Sequence, residues 1–324
     1  MSALSSQLFG RIPYVPPKWL STGIAGSVIP TSRVELGRFP TPYHEWNLDG
    51  TFDNSRELDF YIKRDDLSSF DMSGNKVRKL QFLLDDALEK GADSVVTIGG
   101  VQSNHCRATA CAARQLGMDP YLILRTRGHK IDPPEILKDS MVGNLLFDRM
   151  VGATIQTVTS SIYAQCGADN LVSQLVDQLK EEGRKPYAVP LGGSNVLGCF
   201  GYLDAVEEIL QQGIEFDHLV FACGSGGTAC GLSLGARLAG IGSVHAVGVC
   251  DSPGYFYNHI EETAALLGVD FEEYGKPEEW LTIHHGAGLG YGRSKPEELR
   301  FILDVAQTTG VTLDPTYSGK GLYY

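Results

Sequence analysis

A run of β-branched residues, Ser94-Val-Val-Thr-Ile98, breaks at Gly99-Gly100 and passes at once into an alanine-rich segment, Asn104 to Leu116, closed by Gly117. A strand that leads through glycine into a helix is the repeating unit of parallel α/β sheets. The pattern recurs. Strands are expected at Phe60–Lys63, Tyr121–Leu124, Ala153–Val158, Tyr187–Leu191, His218–Cys223 and Val244–Val249. Helices are expected at Val77–Lys90, Ile136–Met150, Leu171–Glu182, Gly198–Gln211, from the Gly224 loop to Leu238, and over 255–267 and 295–308. Such sheets bind ligands at the carboxyl ends of their strands. Glycine-rich loops follow Ile98, Leu191 and Cys223, so one site assembled from distant parts of the chain is expected. No low-complexity linker or internal repeat separates domains, so any two-domain split is interleaved.

At 324 residues the chain can bury one large core or two smaller ones. A net charge of -12 argues against nucleic acid and anionic membranes as partners, and no apolar run is long enough to span a membrane. The seven cysteines include no C-x-x-C pair, which supports neither a zinc site nor a disulfide framework; a reducing compartment fits. Residues 1–34 lack acidic residues but carry Arg11, Lys18 and Arg33, which weakly resembles an organelle transit peptide. Pro13, Tyr14, Pro16, Pro17 and Trp19 read better as an ordered arm on the body of the protein.

Lys76 stands in Ser73-Gly74-Asn75-Lys76, a turn that opens an amphipathic helix, with Lys79 one turn on. The positive end of the helix dipole lowers the pKa of an amine held there, which suits a Schiff-base nucleophile. The plain alternative is a surface lysine at a helix start. The loop Gly224-Ser225-Gly226-Gly227-Thr228 follows a strand and opens a helix, a geometry that cradles phosphate. Gly224-x-Gly226-x-x-Ala229, with Asp251 near the end of the next strand, also meets a dinucleotide-binding pattern. In the Gly99–His105 loop, Ser103 and Asn104 suit a small anion, or act simply as helix caps. Tyr317, in Leu313-Asp314-Pro315-Thr316-Tyr317-Ser318-Gly319-Lys320, is a proton relay or a buried hydroxyl. His284-His285 is no metal site, because neighbouring side chains on one element point apart and no acid completes a ligand set.

In combination, Ser73–Lys76 with Lys79, Gln102-Ser103-Asn104, the Gly224–Thr228 loop and the Asp314–Lys320 segment resemble the pyridoxal-phosphate enzymes of the 1-aminocyclopropane-1-carboxylate (ACC) deaminase and D-cysteine desulfhydrase family. The resemblance runs from about Phe39 to Tyr317. It implies a tryptophan-synthase-β-like fold: α/β, with two interleaved domains, each an open, mostly parallel sheet flanked by helices. The implied division is 1–76 plus 191–324 as the large cofactor-binding domain and 77–190 as the small one. The family resembled continues past the position of Tyr324, so a C-terminus truncated relative to it is implied as well.

By resemblance, Lys76 holds pyridoxal 5'-phosphate as a Schiff base. Lys79 and Gly224, Ser225, Gly226, Gly227 and Thr228 meet its phosphate, and Asn104 its phenolic oxygen. Ser103 and Tyr317 are acid–base groups at the substrate, and Tyr291 is a further active-site tyrosine. Ser318 stands where the deaminases carry a glutamate beside the pyridine nitrogen, which implies a neutral ring and a weaker electron sink. The expected reaction is therefore β-elimination of D-cysteine to pyruvate, hydrogen sulfide and ammonia, with ACC deamination to 2-oxobutanoate and ammonia as the alternative. A nicotinamide oxidoreductase using Gly224–Ala229 and Asp251 remains open, as does an inactive cofactor-binding protein. A small amino-acid substrate, no metal, a homodimer, and a cytoplasmic or organellar location complete the expectation.

Overall fold

The computed structural model describes residues 9–52, 55–72, 74–126 and 142–324. Its described residues divide into two units. The first takes those within Met1–Val15, Pro30–Phe39 and Asp65–Gly201; the second those within Pro16–Ile29, Pro40–Arg64 and Tyr202–Tyr324. These bounds differ from the expected 1–76 with 191–324 and 77–190. The physical reason is local. The turn Leu191–Gly193 follows a strand of the first unit's sheet, and the carbonyl of its Gly192 receives Nζ of Lys79, so 191–201 and the start of the Lys76 helix stay with that sheet.

The first unit holds a four-stranded parallel sheet in the order Thr154–Thr159, Asp119–Thr126, Ser94–Gly100, Pro186–Ala188. Parallel sheets need both faces covered. Val95 packs in one core with Leu80, Leu83, Leu84, Ala108 and Ala112, from the helices Lys76–Glu89 and Asn104–Gln115. Val96 and Ile98 pack in another with Leu171, Leu175 and Leu179 of the helix Ala168–Glu181. Neighbours on a strand point to opposite faces, so one β-branched run serves both layers. The Lys76 helix buries Val77, Leu80, Leu83, Leu84 and Ala87 and gives way at Gly91, whose φ is 67°. The expected helix Ile136–Met150 is described as Gly143–Met150; its residues 136–141 lie outside the described residues. Arg11–Pro13 pairs with Ser32–Val34, and Tyr14 meets Phe82 edge-on at 5.0 Å between centroids, as an ordered arm requires.

The second unit holds a three-stranded parallel sheet in the order Leu281–His285, Ser243–Gly248, His218–Cys223. Leu281–His285 was not expected as a strand. His284 uses its ring to reach His245 on the neighbouring strand, with 3.1 Å between nitrogens. Among the described residues no helix is long and apolar enough to cross a membrane.

One buried carboxyl in the first unit makes stability depend on pH. Asp148 is fully buried, and neither oxygen has a hydrogen-bond partner among the described residues. Burial pushes its pKa from 3.8 up to about 7, with partial relief from the charge of Arg107. The folded protein thus holds this proton more tightly than the unfolded chain. Stability falls as pH rises from about 4 to 7 and is level above that window. Asp148→Asn should remove this slope and stabilise the protein at pH 8 by on the order of 2–4 kcal/mol. Urea midpoints at pH 5 and pH 8 check it; a variant that keeps the wild-type difference would exclude Asp148 as its source.

Candidate active site

In the first unit, the helix that carries the lysines is fixed at its start by Arg78. Arg78 is 1% exposed. It forks onto Asp65, Nη2 to Oδ1 at 2.7 Å and Nε to Oδ2 at 3.0 Å, and lies over the Phe39 ring. Packing behind it is tight, because a Cβ at Gly201 would meet the Arg78 carbonyl oxygen at 2.4 Å. On this rigid base Lys76 and Lys79 share one acceptor. Lys79 Nζ donates to Gly192 O at 3.2 Å and Lys76 Nζ to the same oxygen at 3.4 Å. Lys79 is buried and Lys76 half-buried. Gly192 and Gly193 have φ of 67° and 61°, so the left-handed turn that aims this carbonyl favours glycine.

Ser103 caps the Asn104–Gln115 helix, its Oγ accepting from Cys106 N at 3.2 Å, so the capping reading of the loop is correct. That bond uses a lone pair and leaves the hydroxyl proton for another acceptor. Gly99 makes the room, since a Cβ there would come within 2.5 Å of Ser103 Oγ. Asn104 Nδ2 reaches Asn75 Oδ1 at 3.4 Å, beside Lys76 in sequence. His105, buried, bonds Thr97 Oγ1 through Nε2 at 2.9 Å. Thr97 itself donates to Val189 O, so His105 Nε2 carries the proton. Burial, with the charges of Lys76 and Lys79, holds the His105 pKa well below its usual range and keeps the ring neutral. Gly192 O is the feature that sequence reasoning missed, a backbone acceptor with no residue-type signal.

The second unit brings together Gly224, Tyr291, Tyr317 and Ser318. Gly224 ends the strand His218–Cys223, and a Cβ on it would meet the Tyr317 ring at 2.8 Å. Gly226 caps the helix Gly227–Ala239 at φ 86°, without a side-chain cap, and a Cβ there would meet His259 at 2.4 Å. At Gly224 and Gly226 nothing larger fits. The helix start, with Thr228 in its first turn, presents backbone N–H groups, and its cap residue Gly226 makes no side-chain cap bond. Tyr317 Oη lies 2.8 Å from Tyr291 Oη. Burial first, then the neighbouring Tyr291, raises the Tyr317 pKa, so its hydroxyl stays protonated.

Ser318 is tied to Asp314. Its O–H donates to Asp314 Oδ2 at 2.7 Å while its oxygen accepts from Asp314 N at 2.8 Å. A hydroxyl has one proton to give. Spent on Asp314, it leaves an oxygen lone pair. Asp314 also takes the N–H groups of Thr316, Tyr317 and Ser318, so this carboxylate builds the whole turn.

The model of the family described as "Pyridoxal-phosphate dependent enzyme" matches residues 34–324. A relative named bifunctional D-cysteine desulfhydrase/1-aminocyclopropane-1-carboxylate deaminase, mitochondrial, from Arabidopsis thaliana, is 44% identical over 96% of this chain and 76% of its own length. A D-cysteine desulfhydrase of Serratia proteamaculans is 34% identical over 82% of this chain and 79% of its own. Among solved structures, an ACC deaminase homologue matches with a TM-score of 0.75 and 37% identity, over 90% of this chain and 85% of that one.

Proposed function

Since the chain belongs to the pyridoxal-phosphate-dependent enzyme family, we propose that it degrades D-cysteine by β-elimination to pyruvate, hydrogen sulfide and ammonia, with ACC deamination as a second activity. The observation that carries this is the 44% identity, across 96% of the chain, to a relative whose name states both activities. The relation of Ser318 to Asp314 favours keeping the second activity. A nicotinamide reading of Gly224–Ala229 gives the lysine pair no task and is set aside.

The cofactor fits the residues present. They offer an aldehyde-reactive amine at Lys76, a second buried amine at Lys79, and a glycine cradle at an uncapped helix start that a Cβ would fill. Lys76 would hold the aldehyde carbon. Lys79 and the N–H groups of Gly224, Ser225, Gly226, Gly227 and Thr228 would hold the phosphate, Asn104 the phenolic oxygen, and Ser318 the ring nitrogen. Bound there, the cofactor supplies an electron sink for the bonds at the substrate α-carbon.

The chain's own groups do the rest. Lys76 Nζ, as a free amine beside the substrate, would take the α-proton. Ser103, whose capping bond uses a lone pair and whose hydroxyl also meets the Cys106 thiol, would donate to the substrate carboxylate. Tyr317 Oη, kept protonated by burial, would hydrogen-bond the departing sulfur, and a proton it passes on would be replaced by Tyr291 Oη, 2.8 Å away, which is half-buried and takes its own back from water. We further infer a homodimer, located in the cytosol or, like the named mitochondrial relative, in an organelle. Assays of D-cysteine, L-cysteine and ACC side by side test the reading. Sulfide from D-cysteine is expected to exceed that from L-cysteine, with 2-oxobutanoate formed from ACC. A cofactor-loaded protein that releases neither product would overturn it.

A further inference from the structure

One buried cation has no task in the reaction above. Lys320 lies one turn into the helix Ser318–Tyr323 and is 0% exposed. Its Nζ donates to Ala287 O at 2.5 Å and to Gly290 O at 3.0 Å. Both carbonyls belong to one turn, closed by Gly290 N to Ala287 O at 2.8 Å and followed by Arg293 N to Gly290 O at 3.2 Å. Gly288 and Gly290 have φ of 57° and 102°, so this backbone belongs to glycine.

Tyr291 follows the turn at once. Its hydroxyl meets that of Tyr317 at 2.8 Å, with the rings edge to face at 5.9 Å. Tyr317 in turn is the N-terminal cap residue of the Lys320 helix, its carbonyl accepting from Gly321 N at 2.8 Å. One short helix therefore carries one tyrosine at its start, and one turn later an ammonium that grips the turn presenting the other. Burying an ammonium is costly, and a well-packed apolar side chain would be the cheaper way to fill the space. A charge spent on two backbone carbonyls argues for a task that packing alone would not perform.

We infer that Lys320 is a positioning residue, which sets the Tyr291–Tyr317 contact by holding the Ala287–Gly290 turn. The catalytic part of this inference rests on the acid–base role proposed for the two tyrosines; the structural part does not. The variants are Lys320→Met, which keeps the length of the stem and removes the donors, and Gly290→Ala. Nothing lies within 4 Å of a Cβ at Gly290, so Gly290→Ala strains the turn at φ 102° and leaves Lys320 intact.

The first readout is fluorine NMR of protein labelled with 3-fluorotyrosine, with the Tyr291 and Tyr317 signals assigned by their phenylalanine variants. Both variants should move or broaden these two signals and leave the other tyrosines in place. The second readout is steady-state kinetics on D-cysteine. Each variant should lower kcat by about tenfold to a hundredfold, the loss expected when a reacting group is misplaced by about 1 Å, with little change in KM. In a Tyr291→Phe background the further loss from Lys320→Met should shrink severalfold, because the contact is already gone. Unchanged Tyr291 and Tyr317 signals in a folded Lys320→Met or Gly290→Ala protein would overturn the inference, as would kinetic losses that simply multiply with Tyr291→Phe. The NMR arm needs no substrate. A protein inert toward D-cysteine would therefore fail the functional reading and leave this one decided by the spectra.

Discussion

Lys76→Ala should abolish turnover of every substrate while leaving the fold intact. The loss in kcat should be at least about 10³-fold, as for removal of a group that both anchors the reacting centre and moves the proton. The fold survives because alanine is the best helix former and Lys76 is the first residue of its helix, where no packing of the core depends on it. What holds that helix is Arg78 on Asp65 and the apolar face from Val77 to Ala87. The amine itself makes a long contact of 3.4 Å to Gly192 O, weak enough to give up for a covalent bond. Visible absorbance of the lysine-bound cofactor should vanish with activity. Lys79→Ala separates the two amines. Lys79 is buried with its own bond to Gly192 O, and its loss should weaken cofactor binding more than kcat at saturating cofactor. A Lys76→Ala protein that keeps its absorbance, or retains more than about 1% of wild-type kcat, would remove Lys76 from the role.

The lysines were legible because a turn, a 3.6-residue apolar period and two cations one turn apart all point to one helix face. Their acceptor was not, since Gly192 O is a backbone atom and only the conformation of the turn aims it. The sheets were legible where β-branched runs end in glycine. Leu281–His285 was missed because Thr282, His284 and His285 are exposed polar residues; the strand forms by parallel pairing to Ser243–Gly248, a long-range partner that local pattern does not show. The last helix, Ser318–Tyr323, was hidden by two glycines that lower helix propensity. They are required by packing. A Cβ at Gly319 would meet Ile302 at 2.4 Å, and one at Gly321 would meet Ala222 at 3.2 Å. Asp314 and Lys320 stood in a recognised segment without an assigned task. Sequence shows their charge but neither the burial of Lys320 nor the four hydrogen bonds that Asp314 receives.

Ser318→Ala should cost more in ACC deamination than in D-cysteine desulfhydration. A serine by itself argues for a neutral ring nitrogen and a weak electron sink, which would disfavour opening a cyclopropane. The Asp314 carboxylate changes that argument. Ser318 gives its proton to Asp314 Oδ2 and takes Asp314 N–H on its oxygen, so one lone pair is left over. At a ring nitrogen held by Ser318 as proposed, that lone pair would favour the protonated form, and the Asp314 carboxylate would stabilise the charge at one remove. A charge-assisted hydrogen bond contributes about 1.5–3 kcal/mol, so losing it should lower kcat for ACC by roughly tenfold to a hundredfold. Expelling a thiolate from the β-carbon demands less of the sink, so the loss with D-cysteine should be severalfold smaller. Ser318→Ala isolates the relay, because the three backbone N–H bonds that Asp314 accepts stay in place. Ser318→Thr keeps the hydroxyl and should keep the wild-type ratio of the two activities. Ser318→Glu puts the carboxylate itself at the position and should raise that ratio toward ACC. Measuring kcat for both substrates in all three variants decides it. A ratio unmoved by Ser318→Ala would mean that the choice between thiolate loss and ring opening is made elsewhere.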